Sequence, residues 1–167
     1  MNPFEVDFSD ASGDDFEALS RDQVPVRSMT ESDLPAIIGI DRKITGHDRS
    51  AYYKSKLAEV LRESGVRVSL VAEIDEQFAG FIMARVDYGE YGQTVNTAVI
   101  DSIGVNPAFA NRHVGRALLS QLMTNLASLR IERVHTRVGW DAFPLLAFLQ
   151  RSGFHPSQRL CLTKRLT

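Results

Sequence analysis

Three consecutive strand-like runs, of which the first two alternate in apolar residues, constrain the fold of this chain more than any other feature. They read VRVSLVAEI at 66–74, FAGFIMARV at 78–86 and TAVIDSIGV at 97–105. A period of two places every second side chain on the same face of a sheet, so each run predicts a strand. Three residues separate the first two runs, which predicts an antiparallel hairpin. We therefore expect an antiparallel sheet in the first half of the domain.

The segments before these runs predict one short strand and two helices. VPVRSMT at 24–30 is the strand, and Thr30 with Asp33 forms a capping pattern ahead of the first helix. HDRSAYYKSKLAEVLRES at 47–64 is the second helix. Its apolar residues recur at helical spacing and predict one buried face: Tyr53, Leu57, Val60 and Leu61.

The segments after these runs alternate between helices and strands. A helix begins near 114 and has a predicted buried face of Leu118, Leu122, Met123 and Leu126. A strand at 131–140 and a short helix follow, and Gly153 is expected to end that helix in the left-handed conformation. RLCLTKRL at 159–166 predicts a last strand. The order predicts a mixed α/β (α+β) domain with a central, mostly antiparallel sheet flanked by helices.

The composition narrows the class of protein. The chain has 167 residues, of which 44% are apolar, and a net charge of -2, so the charge favours neither nucleic acid nor a membrane surface. No apolar run is long enough to span a membrane, and the single cysteine, Cys161, fits a reducing, cytoplasmic location. Residues 1–22 are acidic and without period, which predicts a tail or arm ahead of a folded domain at 23–167.

The junction NRHVGRA, at 111–117, carries the strongest chemical signal. A helix N-terminus exposes unpaired N–H groups and a positive dipole end, and both favour an anion. Gly115 has no Cβ to block a ligand, Ala117 is small, and Arg112, His113 and Arg116 add donors and positive charge. This pattern predicts a diphosphate site. The alternative is an ordinary helix start with a few solvated basic residues.

The motif R-x-x-G-x-A of this junction, directly after a strand ending in IGVNP, resembles the GNAT superfamily of acyl-CoA-dependent N-acyltransferases. The resemblance extends over about residues 24–166. It includes V-x-P at Val105–Pro107 and the glycine–aromatic pair Gly153–Phe154.

The resemblance implies an acetyl-CoA-dependent N-acetyltransferase that needs no metal. In the family, the amides of the signature loop bind the CoA pyrophosphate; the corresponding residues here are Arg112, His113, Val114, Gly115, Arg116 and Ala117. The fourth strand of the family bulges and separates from the fifth, and its exposed main chain pairs with pantetheine. That role corresponds to Ile103, Gly104 and Val105.

Two family residues are missing, a tyrosine and the asparagine that usually opens the helix near pantetheine, where this chain has WDAF at 140–143. Many members carry a tyrosine, proposed to protonate the leaving thiolate, where this chain has Leu149. Asp101 is the candidate general base, because a carboxylate in an apolar strand is unexpected unless it faces a cleft. Its alternative is a hydrogen-bonded structural aspartate. Two hypotheses remain open: an N-acetyltransferase, or an acyl-CoA-binding or sensing domain of the same fold with weakened catalysis.

The region between the first two helices forms one wall of the acceptor site in the family. The resemblance therefore suggests four contacts for a small-molecule or peptide amine: Arg42, His47, Arg49 and Tyr52. Tyr88 and Tyr91 are further candidates for lining that pocket. Dimers are frequent in the superfamily, and the sequence leaves both a monomer and a homodimer open.

Overall fold

The computed structural model describes residues 23–63, 66–87 and 96–166. The predicted acidic tail at 1–22 lies outside these ranges, and so do Tyr88 and Tyr91. The chain divides into two compact units, one ending at Thr136 and the other starting at Arg137.

The described part of the first unit contains one five-stranded sheet and three α-helices. The strands are β1 (Val26–Ser28), β2 (Leu70–Ile74), β3 (Gln77–Asp87), β4 (Thr97–Val105) and β5 (Arg133–Thr136), and they lie in that order in the sheet. The helices are α1 (Leu34–Thr45), α2 (Ser50–Ala58) and α3 (Val114–Ser128). All neighbouring strands pair antiparallel except β4 and β5, which are parallel. The mixed, mostly antiparallel sheet predicted from the sequence is confirmed.

Helices cover both faces of this sheet. Consecutive residues of a strand point to opposite faces. A Cβ added to Gly80 would meet the side chains of Val114 and Leu118 in α3, whereas the ring of Phe81 packs edge-on against Tyr53 of α2. Helix α3 therefore lies on one face, and α1 and α2 lie on the other.

The hairpin between β2 and β3 turns through two residues in the left-handed region. Asp75 has a φ of 51° and Glu76 a φ of 61°. Two consecutive positive φ values are typical of the tight turns that match the twist of paired strands. The predicted hairpin is confirmed, with Ile74 opposite Gln77.

Strands β4 and β5 pair over only four residues. The register runs from Thr97 opposite Arg133 to Ile100 opposite Thr136. Residues 101–105 continue β4 past the last pair, so within the first unit their main chain has no strand neighbour on that side. This short pairing fits the separation between the fourth and fifth strands that the family resemblance implies.

The second unit contains helix α4 (Phe143–Arg151) and the C-terminal segment. Gly153 follows α4 with a φ of 85°, which confirms the predicted left-handed stop. The predicted strand at 159–166 is wrong, because this segment forms no strand and Leu160, Leu162 and Leu166 are all more than 80% exposed. An alternating pattern gives a strand only where its backbone finds a neighbouring edge to pair with.

Three other expectations are corrected in detail. The strand predicted at 66–74 begins only at Leu70, and it is buried on both faces because helices cover both sides of the sheet. The helix predicted at 47–64 is α-helical only over α2 and continues as a π-helical turn, Glu59–Glu63. Met123 is half-buried, although the rest of its predicted apolar face is buried. Among the described residues, no helix is long and apolar enough to cross a membrane.

Candidate active site

The N-terminus of α3 is shaped by two left-handed residues just before the helix. Asn111 and His113 both have a φ of 61°, although neither is glycine. Alternation between right- and left-handed residues turns successive N–H groups toward one side of the chain. His113 is the N-cap, and its carbonyl accepts the first helical hydrogen bond from the Ala117 N–H at 2.9 Å.

Two backbone donors at this N-terminus are available to a ligand. Within the described ranges, the N–H groups of Val114 and Gly115 meet no acceptor. The side chains of Val114 and Ala117 are buried, whereas Gly115 is only half-buried. Arg112 is exposed, and its guanidinium lies 5.6 Å from the centre of the Phe109 ring. Backbone N–H groups that meet no acceptor at a helix N-terminus are the donors that an anion binds.

Gly80, which the sequence analysis did not single out, sets how closely α3 approaches the sheet. A Cβ at this position would lie 2.8 Å from the Gly104 carbonyl oxygen and 2.9 Å from Val114 Cγ1. Real Cβ atoms do not approach so closely, because van der Waals contact between carbon atoms is at about 3.5–4.0 Å. The glycine lets the first turn of α3 lie directly beside the unpaired end of β4.

Gly104 makes room for a buried aromatic ring, and its predicted main-chain contact with the cofactor is a separate role that stays a prediction. A Cβ there would lie 2.6 Å from Phe81 Cε1 and 3.5 Å from Ile40 Cγ2, so the missing side chain makes room for the buried Phe81 ring. The bulge of β4 is at Asp101, because Met83 pairs with Ser102 and Ala84 pairs with Ile100. Ile103, Gly104 and Val105 keep regular pairing with β3, and in the described part of the first unit no strand pairs with their other main-chain edge.

Asp101, at the bulge, lies within a cluster of four charged side chains. Its Oδ2 accepts a hydrogen bond from Arg85 Nε at 3.1 Å, and its Oδ1 lies 3.6 Å from Lys56 Nζ. Glu59 contacts the same two cations, at 2.7 Å from Lys56 Nζ and 3.5 Å from Arg85 Nε. The Asp101 side chain is only 11% exposed. Both of its oxygens therefore face cations from α2 and β3.

The four predicted acceptor contacts lie around the end of α1 and the start of α2. Arg42 pairs with the exposed Asp48 at 2.9 Å, and the backbone N–H of His47 bonds to Thr45. Tyr52 is 42% exposed. Arg49 differs from the other three, because its guanidinium donates a hydrogen bond to the buried Asp41 of α1.

A buried hydrogen-bonded chain joins this region to β4, and sequence reasoning missed it. Tyr53, only 1% exposed, donates its hydroxyl to Asp41 Oδ1 at 2.9 Å and lies 3.0 Å from Ser102 Oγ. The hydrogen bond from Arg49 lowers the pKa of Asp41 against the opposing effect of burial, and the Tyr53 hydroxyl lowers it further. Burial raises the pKa of Tyr53 to about 12. Tyr53 appears in the sequence as part of an apolar helical face, and its hydroxyl was the only signal of a polar partner.

The described part of the chain contains no group of three or more histidine, cysteine or acidic side chains that could hold a metal ion. The candidate site consists of the first turn of α3, the edge of β4 that has no strand partner among the described residues, and a set of polar side chains. These side chains come from α1 and α2, on the face of the sheet opposite to α3.

Comparison with known proteins identifies the class. The model of the acetyltransferase (GNAT) family matches residues 34–154. Among solved structures, aminoglycoside N-acetyltransferase AAC(6')-Iy in complex with CoA has a TM-score of 0.70 and 16% identity, covering 85% of this chain and 94% of its own. AAC(6')-IG from Acinetobacter haemolyticus has a TM-score of 0.70 and 17% identity, covering 85% and 98%. A transcriptional regulator from Bacillus halodurans C-125 has a TM-score of 0.71 and 16% identity, covering 86% and 99%.

The chain belongs to the GNAT acetyltransferase family, because the family model covers well over half of it. The resemblance inferred from R-x-x-G-x-A is confirmed. At 16–17% identity, the structural matches show the shared fold and nothing finer.

Proposed function

We propose that this protein transfers an acetyl group from acetyl-CoA to a primary amine. The observation that carries the proposal is the juxtaposition of the two available N–H groups of Val114 and Gly115 with the open main-chain edge of residues 101–105. The first can bind a pyrophosphate, and the second can pair with the amides of a pantetheine arm. CoA has both groups, because its pantetheine arm contains two amides and is joined at one end to the pyrophosphate.

The protein must supply a proton acceptor for the amine and hydrogen-bond donors for the thioester oxygen. An amine of ordinary pKa, about 10.4 for lysine, must lose a proton before its lone pair can attack. The nitrogen then bonds to the thioester carbon, the C–S bond breaks with its electron pair going to sulfur, and the proton released by nitrogen passes to a base. Asp101 at the bulge is the proposed base, and main-chain N–H groups near Val105 stabilise the developing oxyanion. Solvent reprotonates the thiolate, since Leu149 holds the position of the family tyrosine.

The acceptor is proposed to be a small amine bound between β4 and the start of α2, with Arg42, His47 and Tyr52 on its wall. Several structural neighbours are aminoglycoside acetyltransferases, including one in complex with sisomicin, so aminoglycosides are the first acceptors to try. Polyamines, amino acids and peptides with free N-termini complete the panel.

A sensing or regulatory role is the second candidate. The absence of the family tyrosine at Leu149 favours it, and one structural neighbour is described as a transcriptional regulator. Both candidates require acetyl-CoA binding, and only the first requires turnover.

Thermal unfolding with and without acetyl-CoA tests the shared requirement. At a ligand concentration of about 100 times Kd, binding contributes about 2.7 kcal/mol, which is roughly 5–10 °C for a chain of this size. Gly115→Glu should abolish the shift, because its carboxylate fills the anion site. Thr124→Glu is the matched control, since it adds the same charge to an exposed position of α3 roughly 13 Å further along the helix.

CoA release in the presence of the amine panel then separates the two candidates. Release that disappears in Gly115→Glu establishes the enzyme. A thermal shift without release on any amine favours the sensor, and no shift in the wild-type protein overturns both.

A further inference from the structure

Four side chains from three elements form one continuous hydrogen-bonded chain beneath the acceptor wall. Asp41 comes from α1, Arg49 and Tyr53 from the start of α2, and Ser102 from β4. Arg49 Nε donates to Asp41 Oδ2 at 2.9 Å, and Arg49 Nη2 lies 3.4 Å from the Tyr53 hydroxyl. Asp41 and Tyr53 are 4% and 1% exposed, so the inner part of this chain is shielded from water.

Asp41 determines which hydroxyl group is the donor in each hydrogen bond of this network. A carboxylate has only acceptors, and the paired, hydrogen-bonded Asp41 is ionised at neutral pH. The single proton of the Tyr53 hydroxyl therefore goes to Asp41, at 2.9 Å. The Tyr53 oxygen is left as an acceptor, so the 3.0 Å hydrogen bond to Ser102 must be donated by Ser102.

Ser102 is thereby left with lone pairs only. A hydroxyl has one proton and two lone pairs, and its proton is already committed to Tyr53. Ser102 lies beside Asp101 at the bulge, in the stretch of β4 beyond its pairing with β5, and it is only partly buried. A fixed acceptor at this place can be satisfied by an N–H donor but not by a carbonyl oxygen or a thiolate.

We propose that Ser102 Oγ accepts a hydrogen bond from the attacking amine, and that Tyr53 and Asp41 hold the Ser102 hydroxyl in that orientation. The inference rests on the proposed N-acetyltransferase function. Ser102 contacts the substrate directly, whereas Tyr53 and Asp41 are positioning residues that act through it.

The proposal predicts a preference among acceptors. A deprotonated primary amine can attack with its lone pair, direct one N–H to Ser102, and direct the other to the base. An alcohol has a single proton, which it must give to the base, so none remains for Ser102. The hydroxyl of Ser102 therefore favours N-acetylation over O-acetylation on acceptors that carry both groups.

Steady-state kinetics on the best amine of the panel tests this inference, with Ser102→Ala, Tyr53→Phe and the double variant. Each single variant should lower kcat/KM for the amine about three- to tenfold, as expected for the loss or misorientation of one hydrogen bond. KM for acetyl-CoA should not change. Tyr53→Phe should have no further effect in the Ser102→Ala background, because it acts only through Ser102. Ser102→Thr, which keeps a hydroxyl, should restore part of the loss.

Two outcomes would overturn the inference while leaving the proposed function intact. One is an unchanged kcat/KM for the amine in Ser102→Ala. The other is full additivity of the two single variants, which would give Tyr53 a separate, structural effect. The acetyl-CoA thermal shift of each variant shows that the fold and the cofactor site are intact. Failure of the proposed function would instead appear in the wild-type protein, as the absence of that shift or of CoA release.

Discussion

The two halves of the candidate site are built in different ways. The first turn of α3 offers backbone N–H groups, and its requirements are local: a left-handed residue at His113, and small or buried side chains at Gly115 and Ala117. The opposite face of β4 offers side chains that are already engaged with one another, such as Asp101 with Lys56 and Arg85. The first half has backbone donors left over for a ligand, whereas most polar side chains of the second half are bonded to one another.

This difference suggests that the first half binds the cofactor and that the second half orients the amine. Open backbone donors can grip a common group such as a pyrophosphate, whatever the acceptor. Engaged side chains hold each other in one geometry, which is the condition for orienting a reacting amine. Variants in the first half should therefore affect acetyl-CoA binding, and variants in the second should affect turnover of the amine.

The largest expected effect is that of Asp101→Asn on turnover. Loss of a general base typically lowers the rate by about 100-fold or more. Glu59→Gln is the matched control, because Glu59 shares both cations with Asp101 but lies in the π-helical turn that follows α2, not on β4. We expect kcat to fall in Asp101→Asn and to stay within about threefold of wild type in Glu59→Gln. Equal losses in the two variants would mean that Asp101 only balances the charge of the cluster.

Gly104→Ala should have the next largest effect, on stability. Its Cβ would lie 2.6 Å from the buried Phe81 ring, and forcing an extra methyl into a packed core costs about 1–3 kcal/mol. Gly39→Ala in α1 is the control, because its Cβ would meet nothing within 4 Å and alanine favours a helix by roughly 1 kcal/mol. Urea denaturation should show opposite signs for the two variants. A stable Gly104→Ala protein that loses only acetyl-CoA binding would mean that the space at Gly104 serves the cofactor and not the packing of Phe81.

The same contrast explains what could be predicted from the sequence. The hairpin of β2 and β3, the helix α3 and the stop at Gly153 depend on local periodicity and turn chemistry, which a single sequence contains. The contacts of Tyr53 with Asp41 and Ser102 join residues 12 and 49 positions apart, so they exist only after folding. The strand predicted at 159–166 failed for a related reason, since pairing depends on an edge that lies elsewhere in the chain.

The smallest expected effect is on the pH dependence of stability, and it tests the role of Asp41 in the buried hydrogen-bonded network. Arg49 lowers the pKa of Asp41, so the ionised side chain stabilises the fold at pH values above the ordinary aspartate pKa, about 3.9. This contribution is lost as the pH falls through the lowered value, because the folded protein must then also bind the proton. Asp41→Asn should therefore lower the free energy of unfolding by about 1–2 kcal/mol at pH 7 and by progressively less below pH 4.

Urea denaturation from pH 7 to pH 3 measures this, with the exposed turn variant Asp75→Asn as the control for net charge. A difference between Asp41→Asn and wild type that stays constant over this range would mean that Asp41 is not held ionised by Arg49. Asp41 would then no longer require Ser102 to donate its proton to Tyr53, and the inference that Ser102 is an acceptor would fail. The proposed cofactor site at the start of α3 would be unaffected.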